Sequence, residues 1–89
     1  MKIIKVGAMW CPACIITNKF WKEIKSKYSN IEFVDLDLDM DEDEVKKFNI
    51  GKILPEIIIF DNNNNEIKRI IGEKKQIEIE KEIGDLLNE

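Results

Sequence analysis

The two cysteines of this chain, Cys11 and Cys14, stand in Trp10-Cys11-Pro12-Ala13-Cys14, between a short apolar run and a long amphipathic segment. Two thiols at that spacing can exchange a disulfide with a partner. If Cys11 caps the following helix, Pro12 falls at its first position, where the absent N–H costs nothing and the fixed φ suits helix entry. The Cys11 sulfur then faces the N–H groups of Ala13 and Cys14 and the positive end of the helix dipole, which favours thiolate over thiol. Cys11 is therefore the expected nucleophile. Cys14, one turn on and on the same helical face, lies within disulfide reach and is placed to resolve a mixed disulfide by attacking the Cys11 sulfur. Trp10 is expected to shield the pair on one side and to leave the Cys11 sulfur open to a partner.

Other chemistries fit the residues less well. A tetrahedral zinc site takes about four ligands, and the chain has two Cys and no His; only a dimer sharing two such clips, or help from carboxylates, would close the shell. A purely structural disulfide would close too small a loop to remove much chain entropy. The alternating Asp35, Asp37, Asp39, Asp41 and Asp43 suggest a calcium loop, which needs Gly at its sixth position and Glu at its twelfth. Those positions are Met40 and Lys46 counted from Asp35, or Glu42 and Phe48 counted from Asp37. No metal is expected. The formal charge of −4, from 18 acidic and 14 basic residues, and the lack of a basic stripe argue against nucleic acid as a partner.

The elements that must position the pair follow from periodicity. The chain has 89 residues, 44% of them apolar, enough for a single domain over 1–89 with one modest core. Lys2 to Val6 reads as a first strand ending at Gly7-Ala8. From Pro12 to about Tyr28, Ile16, Phe20, Trp21, Ile24 and Tyr28 mark the greasy face of a helix. Ile31 to Leu38 alternates as a second strand. Asp41 and Glu44 form a capping-box-like start of a short helix through Phe48. Glu56 to Phe60 is an unbroken apolar run suited to a central strand, and Asn62-Asn63-Asn64-Asn65 turns the chain into an edge strand, Glu66 to Ile71. Glu73 to about Leu87 is expected as a last helix, with Ile79, Ile83, Leu86 and Leu87 on its apolar face. The order is β-α-β-α-β-β-α. A right-handed crossover makes the first two strands parallel, and the Asn turn makes the last two antiparallel. The fold class expected is α/β, a four-stranded mixed sheet with helices on both faces.

With these elements in place the chain resembles the thioredoxin superfamily in its small form, without the extra N-terminal strand and helix of full-length thioredoxins. The resemblance covers nearly all of the chain and rests on Trp10-Cys11-Pro12-Ala13-Cys14 between the first strand and helix, Pro55 just before the central strand, and Gly72 after the last strand. It implies a minimal thioredoxin fold and a reversible Cys11–Cys14 disulfide, with no bound cofactor. Pro55 is implied to be cis and to lie against the pair. Leu54 is implied to offer its backbone N–H and C=O to an extended substrate segment, for which Gly72 leaves room. Trp10 and Pro12 complete the substrate-binding set.

Three positions depart from the family pattern. Six residues before the first cysteine, where thioredoxins usually bury an aspartate, stands Lys5, and Asp35 falls where the family often has a lysine. A swapped charge pair meeting behind Cys14 is expected, Lys5 favouring thiolate and Asp35 accepting the proton when Cys14 attacks; the alternative is that Lys5 snorkels to solvent. Lys19 replaces a helix-kinking proline, so the first helix should be straighter.

The implied activity is thiol–disulfide oxidoreduction, reducing protein disulfides, with a thioredoxin-reductase-like flavoprotein as electron source. Pro12 is similar to the glutaredoxin motif, which keeps glutathione open as an alternative reductant; against it, Ile71-Gly72-Glu73-Lys74 lacks the Gly-Gly pair of glutaredoxins. A non-catalytic adaptor of the same fold is disfavoured because it would not need both cysteines. Met1 to Val6 is too short an apolar run for a signal peptide, and no later stretch approaches a membrane span. A cytoplasmic monomer with no membrane partner is expected, in a compartment where a lone C-x-x-C is more often catalytic than structural.

Overall fold

The computed structural model describes residues 1–88. Its elements are β1 (Lys2–Gly7), α1 (Pro12–Lys27), β2 (Glu32–Asp37), α2 (Glu42–Val45) continued by a 3₁₀ turn (Lys46–Phe48), β3 (Glu56–Phe60), β4 (Glu66–Ile71) and α3 (Gln76–Leu87). The β-α-β-α-β-β-α order is the expected one. The four strands form one sheet in the order β2-β1-β3-β4. β1 runs parallel to β2, with Lys5 opposite Asp35, and antiparallel to β3, which pairs antiparallel with β4.

Strand alternation divides the core between the two faces of the sheet. Ile3, Ile57, Ile59 and Ile70 pack on Trp21 and Ile24 of α1 and Ile79 and Ile83 of α3. Ile4 and Val6 pack on the other face with Val45 and Leu54, and this cluster continues into Cys11 and Cys14. Helices thus cover both faces. Ile3, Ile24, Ile57, Ile59 and Ile83 are fully buried, and each removes enough apolar surface from water to favour folding by about 2 kcal/mol.

Three expectations are corrected, on the stripe of α1, the Asp41 cap and the start of α3. The buried face of α1 runs through Cys14, Thr17, Trp21 and Ile24, and Ile16 is 41% exposed, because the N-terminal cap turns Cys14 inward and the stripe one turn apart follows it. Asp41 does not cap α2 with its side chain; its carboxylate accepts the backbone N–H of Asp37 at 2.8 Å instead and closes the end of β2. The second helix is one α turn followed by a 3₁₀ turn that ends at Asn49 with φ 52°. α3 begins at Gln76 rather than Glu73, since Gly72, at φ +89°, turns the chain away from the sheet and the next residues only bridge to the helix. α1 is continuous from Pro12 to Lys27. No helix is long and apolar enough to cross a membrane among the described residues.

Candidate active site

The motif folds as local chemistry dictates. Cys11 is the N-cap of α1 in extended backbone geometry, Pro12 follows in the first turn, and the Cys11 Sγ accepts the Cys14 N–H at 3.2 Å. That donor is one of those left without a partner inside a helix N-terminus, and together with the dipole it places positive charge against the sulfur. The loop before it is held by Cys11 N–H donating to the Ala8 carbonyl at 3.2 Å. Cys11 and Cys14 are both free thiols.

The two sulfurs differ in surroundings. Cys11 is 6% exposed, more enclosed than expected, because the carbonyl of Leu54 lies 3.8 Å from its Sγ. Cys14 is 2% exposed. Burial pushes its thiol up to about 11; the hydrogen bond with Cys11 adds to this, while a backbone hydrogen bond from Ala8 and the charge of Lys5 pull the other way. Gly7 makes room for this thiol: a Cβ at Gly7 would lie 3.3 Å from the Cys14 Sγ.

Leu54–Pro55 is cis. The Pro55 carbonyl accepts the Gly72 N–H at 2.9 Å, which joins the proline loop to the end of β4. Gly72 needs its glycine twice over, for the positive φ and because a Cβ would stand 3.3 Å from Ile53 Cγ2. Trp10, next to Cys11 in the chain, and Ile53, next to Leu54, are each 62% exposed. The Trp10 indole N–H donates to Asp39 Oδ2 at 2.8 Å.

Lys5 does not snorkel to solvent. It is 7% exposed, its ammonium donates to Asn18 Oδ1, and it lies 5.4 Å from the centre of the Trp21 ring. Burial lowers its pKa, and the charges of Asp35 and Cys14 oppose that shift. Lys5 and Asp35 are register partners on neighbouring strands, yet no ion pair joins them among the described residues. Asp35 accepts the Trp21 indole N–H at 2.9 Å on one oxygen and the Lys25 ammonium on the other.

Two residues of the site, Asn18 and Glu56, were not singled out from the sequence, and a third, Asp39, was weighed only as part of a calcium loop. Asn18 lies four residues after Cys14, so helical periodicity puts both on one face, but nothing in the sequence pairs it with Lys5. Asp39 belongs to the acidic run, where Asp37 Oδ1 accepts the N–H groups of Asp39 and Met40 at 2.9 Å; these acids shape a turn. Glu56, directly after Pro55, is 2% exposed and bonded to Arg69 and to the Gly51 N–H. Its placement in an apolar strand was the available signal.

The thioredoxin family model matches residues 1–85. Thioredoxin H2 of Arabidopsis thaliana is 32% identical over 84 residues, covering 94% of this chain and 61% of that protein. Thioredoxin of Mycoplasma genitalium is 33% identical over 70 residues, 79% of this chain and 67% of that protein. The chain therefore spans less than two thirds of the plant relative's length. Among solved structures, oxidised mitochondrial thioredoxin 3 of Saccharomyces cerevisiae superposes with a TM-score of 0.82 at 25% identity, over 94% of this chain and 76% of that one. Thioredoxin of Nicotiana alata gives 0.84 at 25% identity, over 94% and 70%.

Proposed function

This chain belongs to the thioredoxin family, and from that premise we propose that it is a thiol–disulfide oxidoreductase that reduces protein disulfides through a reversible Cys11–Cys14 disulfide. The observation that carries the reading is the capped helix end: the Cys11 sulfur holds the Cys14 N–H and faces the Leu54 carbonyl beside cis Pro55. A sulfur held there is a ready nucleophile.

The proposed cycle has two exchange steps. The Cys11 thiolate attacks one sulfur of a substrate disulfide, forming a mixed disulfide and releasing the other sulfur as thiolate. Cys14 then attacks the Cys11 sulfur; the Cys11–Cys14 bond forms, the bond to the substrate breaks, and the second substrate sulfur leaves. The substrate gains two electrons and the pair loses two. Trp10, Pro12, Ile53 and the backbone of Leu54 form the docking rim, with Gly72 leaving its far side open, and an extended segment pairing with Leu54 suits this edge. A flavoprotein of the thioredoxin-reductase kind resets the pair, the chain acting as a monomer in the cytoplasm.

Replacing Cys14 by Ser tests the scheme. The variant is expected to retain substrate proteins on Cys11 as mixed disulfides released by dithiothreitol. A variant whose Cys11 still reacts with iodoacetamide but retains no protein would overturn it.

A further inference from the structure

The buried ammonium behind the pair is an unusual thing to keep. Lys5 and Gly7 project from the same face of β1, and the Gly7 Cα faces the Cys14 sulfur. Asn18 is one turn beyond Cys14 on the same face of α1. The Lys5–Asn18 hydrogen bond therefore holds the ammonium beneath the second turn of α1, one turn beyond Cys14, and Lys5 and Cys14 line one cleft that opens to solvent. Asp35 accepts its hydrogen bonds from Trp21 and Lys25, so its charge acts on Lys5 through space rather than through a direct contact. Resting on the redox reading above, we propose that Asn18-held Lys5 is a positioning residue for the resolving step, supplying the counter-charge for the Cys14 thiolate as it attacks the mixed disulfide.

A buried thiol needs such help. The proton that Cys14 loses passes to solvent in the cleft, and the departing substrate thiolate takes one up, so no co-reactant is required. Other charges facing this cleft are Lys22 and Lys25 from α1, Asp35 and Asp37 from β2, and Asp41; β3 contributes the apolar Ile57 opposite Lys5. Burial and the Cys11 hydrogen bond disfavour the Cys14 thiolate, and the Lys5 charge opposes them. Removing that charge raises the Cys14 pKa. A rise of about one unit lowers the thiolate fraction about tenfold at neutral pH while the remaining thiolate becomes about threefold more nucleophilic, leaving a net slowing of about threefold.

Stopped-flow reaction of the reduced protein with 5,5′-dithiobis(2-nitrobenzoate) separates the steps. The first thiolate release depends on reagent concentration and reports Cys11; the second does not and reports Cys14. Lys5→Met is expected to slow the second phase about threefold at pH 7 and move its pH midpoint upward by about one unit, leaving the first phase near wild type. Lys5→Arg is expected to restore it in part. Asn18→Ala, at an exposed helical position where Ala favours helix, is expected to act in the same direction even if Lys5→Met fails to fold. A second phase with unchanged rate and pH midpoint in Asn18→Ala, or in folded Lys5→Met, would overturn the proposal. A wild-type protein with no first phase would instead overturn the redox reading itself.

Discussion

Glu56 and Arg69 form an ion pair of 3.2 Å directly beyond the Leu54–Pro55 loop, with the glutamate side chain 2% exposed. The second Glu56 oxygen accepts the Gly51 N–H at 2.8 Å, and Arg69 also reaches the Phe48 carbonyl at 2.8 Å. One buried carboxylate thus ties β3 and β4 to the loop that carries Leu54. Arg69→Met is expected to destabilise the protein by roughly 3 kcal/mol, because it strands a buried charge. Glu56→Leu/Arg69→Met should lie nearer wild type than Arg69→Met alone. Urea unfolding midpoints check both; equal midpoints for wild type and Arg69→Met would dismiss the clamp.

Gly72→Ala tests the rim on the far side of the pair. The positive φ and the 3.3 Å approach to Ile53 together should cost about 1–2 kcal/mol. The added methyl also intrudes on substrate, so kcat/KM for a protein disulfide such as insulin should fall more than for a small aromatic disulfide. Parallel losses on both substrates would place Gly72 outside the docking rim.

Trp10 is anchored by Asp39 at an exposed position. Asp39→Ala is expected to change stability by less than about 0.5 kcal/mol, while acrylamide quenching of tryptophan emission rises as the indole is released. Unchanged quenching would mean that the bond does not hold Trp10 in solution.

The Cys14 thiol, pushed up to about 11 from the ordinary 9.0, links stability to pH in the reduced protein. In that window the unfolded chain loses its proton first, so stability is fully present below pH 9 and falls as pH rises toward 11. The oxidised protein has no such thiol. Its unfolding midpoint should show no matching loss; identical pH profiles for the two forms would rule out a buried, protonated Cys14.

The sequence carried the framework well because the signals were local. The cap, Pro12 and the two thiols lie within five consecutive residues, and the apolar run Ile57-Ile58-Ile59 could only be an inner strand. What was not legible depends on contacts between distant segments. Ile16 fits the helical stripe as well as Thr17 does, and only the inward turn of Cys14 decides between them. Asp41 has the spacing of a cap, but the open end of β2 competes for its carboxylate. Lys5 and Asp35 are register partners as expected, whereas the hydrogen bonds to Asn18, Trp21 and Lys25 that separate them depend on how α1 packs over β1 and β2.

The most direct test of the redox account is the equilibrium potential of the Cys11–Cys14 pair in a glutathione buffer, followed by tryptophan emission with mass analysis of the species present. A reversible two-electron transition toward the thioredoxin end of the range, roughly −270 mV, with no stable glutathione adduct, is the result predicted. A clearly more oxidising value with glutathione retained on Cys11, or no reversible transition at all, would contradict it.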